Sequence, residues 1–184
     1  MGQDKAALVL NGQSLLERSV QLLRPLTISV HVATQEEQAG DDVRRHFSLL
    51  LDPAPDLGPA GGLLAAFLHD PAAAWLVLAC DMPGVDAQLL RELVANRNPS
   101  RGATAWRGSV DGLPEPLCAI WEPATLAGLA AEARVPGKIP VSPRAILAAA
   151  DPLLLNSVRP AALVSVNTPA DLHPYREHDD GYKP

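Results

Sequence analysis

Residues 74–84 read AWLVLACDMPG, an unbroken apolar run that stops at the carboxylate of Asp81. A strand with one face in water alternates polar and apolar residues. A strand covered on both faces does not. The run therefore predicts a buried strand flanked by helices, with Asp81 at its exit. Both neighbours fit. Upstream, GLLAAFLHD (62–70) is a compact apolar helix; downstream, DAQLLRELVAN (86–96) is a second helix with Asp86 as its N-cap.

The same alternation extends in both directions. SLLERSVQLLRP (14–25) has Ser14 and Glu17 at capping-box spacing, a helical apolar period and Pro25 as its stop. TISVHVAT (27–34) alternates Ile28, Val30 and Val32 as a strand does, EEQAGDDVRRHF (36–47) is a weak polar helix, and SLLLD (48–52) is a short strand. GATAWRG (102–108) and EPLCAIWEP (115–123) are strands around the turn SVDGLP. ATLAGLAAEA (124–133) and SPRAILAAAD (142–151) are helices, with Pro143 suited to a first turn. AALVSVNTPADL (161–172) is a last strand feeding a short helix. Strands alternating with helices predict an α/β fold, a mostly parallel mixed sheet with helices on both faces. One domain over residues 1–172 and a polar tail over 173–184 are expected.

Composition narrows the function classes. The chain has 184 residues, 47% of them hydrophobic and 20% charged, as in globular proteins that bury a core. A net charge of −6 argues against broad nucleic-acid binding, though one nucleotide needs only a few local donors. Cys80 and Cys118 sit in apolar runs without metal-ligand spacing, and read as buried thiols in a reducing compartment. No apolar run approaches the roughly 18 residues of a membrane span, and no signal peptide is read. The expectation is a cytoplasmic protein with no membrane and no nucleic-acid partner. The five histidines stand in unrelated contexts, so covalent nucleophilic catalysis finds no support.

In parallel sheets ligands bind at the carboxyl ends of the strands. Four segments follow strand ends here: the loop after Asp52, Asp81, the turn at Asp111, and Asn167. Asp81 reads either as a Mg²⁺ ligand or as a cap on the turn MPG. The loop DPAPDLGPAGG (52–62) places glycines where a helix begins, so its N–H groups could take a phosphate or a base edge, or the glycines serve conformation alone. It is not a Walker A loop, since no GKS or GKT follows. Lys5 reads as a solvated terminal lysine or as a point charge for phosphate. Asn167 either caps the next helix, in competition with Thr168, or contacts phosphate or metal-bound water. Glu115 is an exposed strand start or a ligand contact. Lys138 and Arg144 are solvated helix ends or positive charge for an acidic substrate.

Five segments in this order resemble the molybdenum cofactor guanylyltransferases, a branch of the nucleotidyltransferases. They are MGQDKAALVLNGQSLLERSV, DPAPDLGPAGGLLAAF, WLVLACDMPGVDAQLLREL, DGLPEPLCAIW and VNTPADL, and they cover Met1 to about Leu172. The resemblance implies a Rossmann-like three-layer sandwich of the nucleotide-diphospho-sugar-transferase type. It implies transfer of GMP from GTP to molybdopterin bearing molybdenum, with Mg²⁺ as cofactor and pyrophosphate as product. It implies catalytic roles for Lys5 and Asp81, with Asp81 holding the metal. Nucleotide contacts fall on Lys5, Asp52, Gly58, Pro59, Gly62, Asp81 and Asn167. Glu115, Lys138 and Arg144 are the candidates for the acceptor. Molybdoenzymes or other cofactor-assembly proteins are the implied partners.

The sequence also departs from the family. The family begins with a strand and a glycine-rich loop, and this chain starts at the end of that loop. The expectation is that roughly 15–20 further residues precede Met1, a strand and loop rising ~3.3 Å per residue. GPAGG stands where the family has GPLAG, Ser165 replaces an asparagine, and Ala33 replaces another. These changes leave cytidylyl transfer as the alternative on the enzyme side. An inactive nucleotide-binding or partner-binding domain is the alternative outside it.

Overall fold

The computed structural model describes residues 4–108, 112–134, 142–157 and 159–176. A two-residue hairpin, β1 (Val9–Leu10) and β2 (Gln13–Ser14), leads into α1 (Leu15–Leu23). The Ser14 side chain accepts from the Glu17 N–H and Glu17 reaches back to the Ser14 N–H, the reciprocal cap its sequence predicts. β3 (Val32–Thr34) pairs in parallel with β4 (Leu49–Leu51). After α2 (Pro59–His69) come β5 (Trp75–Leu78), α3 (Ala87–Ala95), β6 (Ala103–Arg107), β7 (Pro114–Trp121), α4 (Pro123–Ala133), α5 (Pro143–Ala149) and β8 (Leu153–Leu155).

These last four strands form one sheet in the order β5-β7-β6-β8. β7 runs antiparallel to both β5 and β6, while β6 and β8 are parallel. Three of the four strands thus run one way and β7 runs against them. The reversal has a local cause, since a short connection joins β6 to β7 and a parallel return would need a crossover.

Strand parity divides the core into two layers. Ala103, Ala105, Ala119 and Trp121 face α2, α4 and α5, packing on Leu63, Leu64, Leu126, Leu129 and Leu147. Their neighbours Trp106, Cys118 and Ile120 face α3, packing on Leu89, Leu90 and Leu93. Helices therefore cover both faces, and the three-layer expectation holds. Asp86 caps α3 by accepting from the Leu89 N–H, and Ser142 caps α5.

Several local expectations change. TISVHVAT forms a strand only over its last three residues, and β5 stops at Leu78. Among the described residues β3 pairs only with β4 and β5 only with β7, so each has one unpaired edge. An isolated alternating segment has nothing to hold it extended without a ladder partner, which is why 27–31 stays irregular. The polar segment 36–47 forms a short 3-10 turn (Glu36–Gln38) and further turns in place of a helix, as its lack of an apolar face allows. β8 arises from LLL (153–155), where no strand is predicted. Of the strand and short helix expected at 161–172, the strand is replaced by a 3-10 turn, Pro160–Leu163, while the helix is present as the 3-10 helix Pro169–Tyr175. Val166 between them ties the segment down by donating to the Asp81 carbonyl at 2.8 Å. Tyr175 packs beside Leu172 and Val166, so packing continues past the boundary expected at Leu172. Residues 177–184 of the expected tail lie outside the described residues.

Candidate active site

The site forms where β5 ends. Asp4 caps a single 3-10 turn (Lys5–Ala7) by accepting from the Ala6 N–H, and that turn packs Ala6 against Leu16 and Val20 of α1. Lys5 projects from the turn. Its Nζ donates to Asp81 Oδ2 and to Asn167 Oδ1, both at 2.8 Å. Residues 76 and 162 positions away in sequence are thus joined through one ammonium. This is not the solvated terminal lysine of the plainer reading.

Asp81 has only 17% of its side chain exposed. Its second oxygen, Oδ1, is buried without a hydrogen-bond partner among the described residues. A carboxylate cap on the following turn would need a backbone N–H on one of the two oxygens, and among the described residues Oδ2 accepts from Lys5 and Oδ1 from nothing, so the turn-cap reading fails. A buried oxygen with an unused lone pair is a donor a divalent cation would satisfy. Among the described residues no group of three or more His, Cys, Asp or Glu side chains gathers.

Asn167 does not spend its side chain on a helix cap. Thr168 occupies the N-cap position, and the Asp171 carboxylate accepts from the N–H groups of both Asn167 and Thr168. These two bonds hold the Asp171 carboxyl below its ordinary range.

A cavity of about 390 Å³ opens from Lys5 and Asp81. Asp52, Gly58, Pro59 and Gly62 line it as well, so every expected nucleotide residue except Asn167 lies on its wall. Gly58 has φ +54° and precedes Pro59 at the first position of α2, a left-handed conformation that suits glycine. The open first turn of α2 therefore meets the cavity with its positive dipole end. Asp52 leaves β4 and its carboxylate lies against Gly61; burial raises its pKa.

The rest of the cavity is of another kind. Residues 30–33 and 75–81 line it consecutively, with α1 on one side and α2 on the other. Side chains of consecutive strand residues point to opposite faces, so a wall made of all of them is a backbone edge. The cavity is an apolar groove between the unpaired edges of β3 and β5, with a polar end at Lys5, Asp52 and Asp81. His31 and Trp75 stand at the opposite end, ring centroids 5.8 Å apart. β3 and β5 thus start together and run the same way.

Of the three acceptor candidates, the two that are described do not join this site. Glu115 and Arg144 are absent from the cavity wall and pair with each other at 3.3 Å. Lys138 and the turn at Asp111 lie outside the described residues. Two contacts were not legible in sequence. One is the approach of Asp52 to Gly61. The other is Arg44, which reaches Asp4 from the segment read as a polar helix.

Residues 1–153 match the family described as MobA-like NTP transferase domain. The chain belongs to this family. Curated relatives that the chain is similar to include a molybdenum cofactor guanylyltransferase of Pseudomonas syringae pv. syringae, 31% identical over 90% of this chain and 86% of its own. A molybdenum cofactor biosynthesis bifunctional protein of Synechocystis sp. is 26% identical over 93% of this chain and 48% of its own. The chain spans about half to three fifths of the length of several curated relatives it matches. Among solved structures, molybdopterin-guanine dinucleotide biosynthesis protein A of Archaeoglobus fulgidus superposes with a TM-score of 0.71 at 21% identity, covering 93% of this chain and 88% of that one. At that identity the superposition shows the MobA-like fold. Among the described residues no helix is long and apolar enough to cross a membrane.

Proposed function

We propose that this MobA-like chain is a Mg²⁺-dependent guanylyltransferase that transfers GMP from GTP to molybdopterin bearing molybdenum. The observation that carries the reading is Lys5 between Asp81 and Asn167 at the end of β5, facing the first turn of α2. In the reaction a terminal phosphate oxygen of the acceptor bonds to the α-phosphorus of GTP. The α–β phosphoanhydride bond breaks, and pyrophosphate leaves with the electron pair. The acceptor phosphate is already ionised near neutral pH, so no general base is required.

Each residue then has a task. Lys5 exchanges its carboxylate and amide partners for phosphate oxygens and offsets their charge. The N-terminus of α2 orients a phosphate or the base edge at Gly58 and Gly62. Asp52, acceptor-only when ionised, takes donors of the guanosine. Asp81 is the metal ligand, with Oδ1 as the available oxygen. Mg²⁺, when bound there, supplies charge neutralisation across the phosphates. Until the nucleotide arrives, Asn167 holds the Lys5 side chain from the far side. Free Cys80 and Cys118 support a reducing cytoplasmic setting.

The test is pyrophosphate release from GTP and from CTP with the molybdenum-bearing acceptor and Mg²⁺. GTP is expected to turn over in preference to CTP, and Asp81→Asn to lower the rate by roughly 100-fold or more. Undiminished turnover in Asp81→Asn removes Asp81 from the metal role. Preference for CTP moves the reading to cytidylyl transfer.

A further inference from the structure

Arg44 is the most deeply buried charged side chain near the site, only 7% exposed, yet it does not line the cavity. Its guanidinium forks onto Asp4, Nη1 donating to Oδ2 at 2.7 Å and Nη2 to Oδ1 at 3.0 Å. Nη1 also donates to Asp41 Oδ2. Asp41 in turn accepts from the backbone N–H groups of Val43 and Arg44, which closes the loop around the arginine. Val43 and Phe47, on either side, pack into the cluster of Ala6, Leu16, Val20 and Val32. Arg44 is thus anchored on the core and holds a residue at the start of the described chain.

The residue it holds is the one that matters for Lys5. Asp4 uses Oδ1 to cap the Lys5–Ala7 turn at the Ala6 N–H, 3.1 Å away. Its carbonyl accepts from the Ala7 N–H at 3.2 Å. Among the described residues, no other side chain bonds to Asp4. A three-residue 3-10 turn has too few bonds to stand by itself. Without a tether the backbone that carries Lys5 would fray, and its long side chain would find no fixed target.

We infer that Arg44 is the positioning residue for Lys5: through Asp4 it holds the turn that brings Nζ to Asp81 and Asn167. The clamp needs a fork, because one head group must meet two oxygens of Asp4 and one of Asp41. A lysine at position 44 would supply charge but not that geometry. The effect on nucleotide binding rests on the reading of Lys5 proposed above; the placement of the ammonium does not.

Two measurements on the whole chain without nucleotide decide the placement. In Arg44→Met, amide exchange at Ala6, Ala7 and Leu8 is expected to quicken more than tenfold, with α3 amides unchanged. A trace pulse of acetic anhydride separates the three lysines of the sequence, Lys5, Lys138 and Lys183, by mass. Lys5 labelling relative to Lys183 is expected to rise at least threefold. Asp4→Asn keeps a cap oxygen but loses the charge, and serves if Arg44→Met fails to fold; it should shift both readouts the same way. Unchanged exchange and labelling in either folded variant overturn the inference. A cycle with Lys5→Ala then tests the link to function by calorimetry with GTP and Mg²⁺. Arg44→Met should weaken binding about tenfold in the parent chain and less than twofold in Lys5→Ala. Equal weakening in both backgrounds overturns the link through Lys5. If the parent chain binds no GTP, the proposed function fails, while exchange and labelling still decide the clamp.

Discussion

Gly61→Ala sets two terms of known sign against each other. Gly61 is in the first turn of α2 with ordinary helical backbone, so alanine gains up to about 1 kcal/mol of helix stability by propensity. The new Cβ would lie 2.6 Å from Asp52 Cγ, against 3.4 Å where ordinary contact begins, a shortfall of 0.8 Å. Asp52 cannot retreat as a unit, because its N–H is bound to the Thr34 carbonyl at 2.9 Å. The displacement falls on the side-chain torsion, at a cost of about 0.5–1.5 kcal/mol. The two terms nearly cancel, so the melting temperature should stay within roughly 3 °C. The carboxylate does not return, however, and misplacing a binding group by nearly 1 Å should raise the Kd for GTP about tenfold, or about 1.4 kcal/mol. Calorimetry with GTP and Mg²⁺, beside a thermal melt, reads both. Gly62→Ala is the comparison, since its Cβ meets Ala33 Cβ at 2.8 Å and touches no carboxylate. It should lose stability instead. An unchanged GTP affinity in a folded Gly61→Ala chain would refute the placement of Asp52 against the nucleotide.

Three further outcomes are expected. Hydrogen bonds from Arg159 hold the Asp86 carboxyl down at about 2, so the unfolded chain binds that proton first as pH falls. Stability from this pair is present above about pH 4 and is lost between pH 4 and 2; urea unfolding should show a shallower slope there in Arg159→Met, and an identical slope would count against the pair. Burial, then the charge of Asp81, pushes the Cys80 thiol up to about 11, and burial with Glu115 pushes Cys118 up to about 12. Both should resist a disulfide reagent at pH 8 in the native chain and react in urea, and stability should fall as pH rises past the unfolded thiol value of about 8.5. Finally, an apolar strand Val-Thr-Ala-Val-Val-Leu with a Gly-Ser linker, fused ahead of Met1, should protect the amides of Ala33, Leu76 and Leu78 from exchange, since the N–H groups of Val32 and Ala79 already donate away from the groove, to Ser48 and Leu117. The same extension with prolines at alternate positions should not, because proline has no N–H for the ladder.

What the sequence showed, and what it hid, follows the range of the forces. Caps and helix periods are local, and the Ser14–Glu17 box, Asp86 and Pro143 in the first turn of α5 stand where they were read. The three-layer packing follows from strand parity, which the apolar runs of β5 and β7 already carry. Strand extent is not local, since a ladder needs a neighbour. Residues 27–31 alternate correctly and still form no strand, because no strand lies against their edge among the described residues. LLL at 153–155 is too short to announce itself and becomes β8 only because β6 offers an edge. Glu115 and Arg144 look like separate charges in sequence and stand as a pair in space, a contact between β7 and α5 that only the fold supplies.

Lys5 joins these two cases. Its residue type and its place beside Asp4 are readable, but what holds it is not. The oxygens that orient it come from Asp81 and Asn167, and the tether on its turn comes from Arg44, in a segment with no pattern of its own. A long side chain near a terminus loses much conformational freedom when fixed, a cost of up to about 2 kcal/mol for lysine alone. Three contacts from distant parts of the chain offset that cost without nucleotide present. The ammonium is therefore placed before any phosphate arrives, and binding a phosphate trades one set of oxygens for another without ordering a loose chain. That preorganisation explains why a clamp outside the cavity belongs to the chemistry inside it.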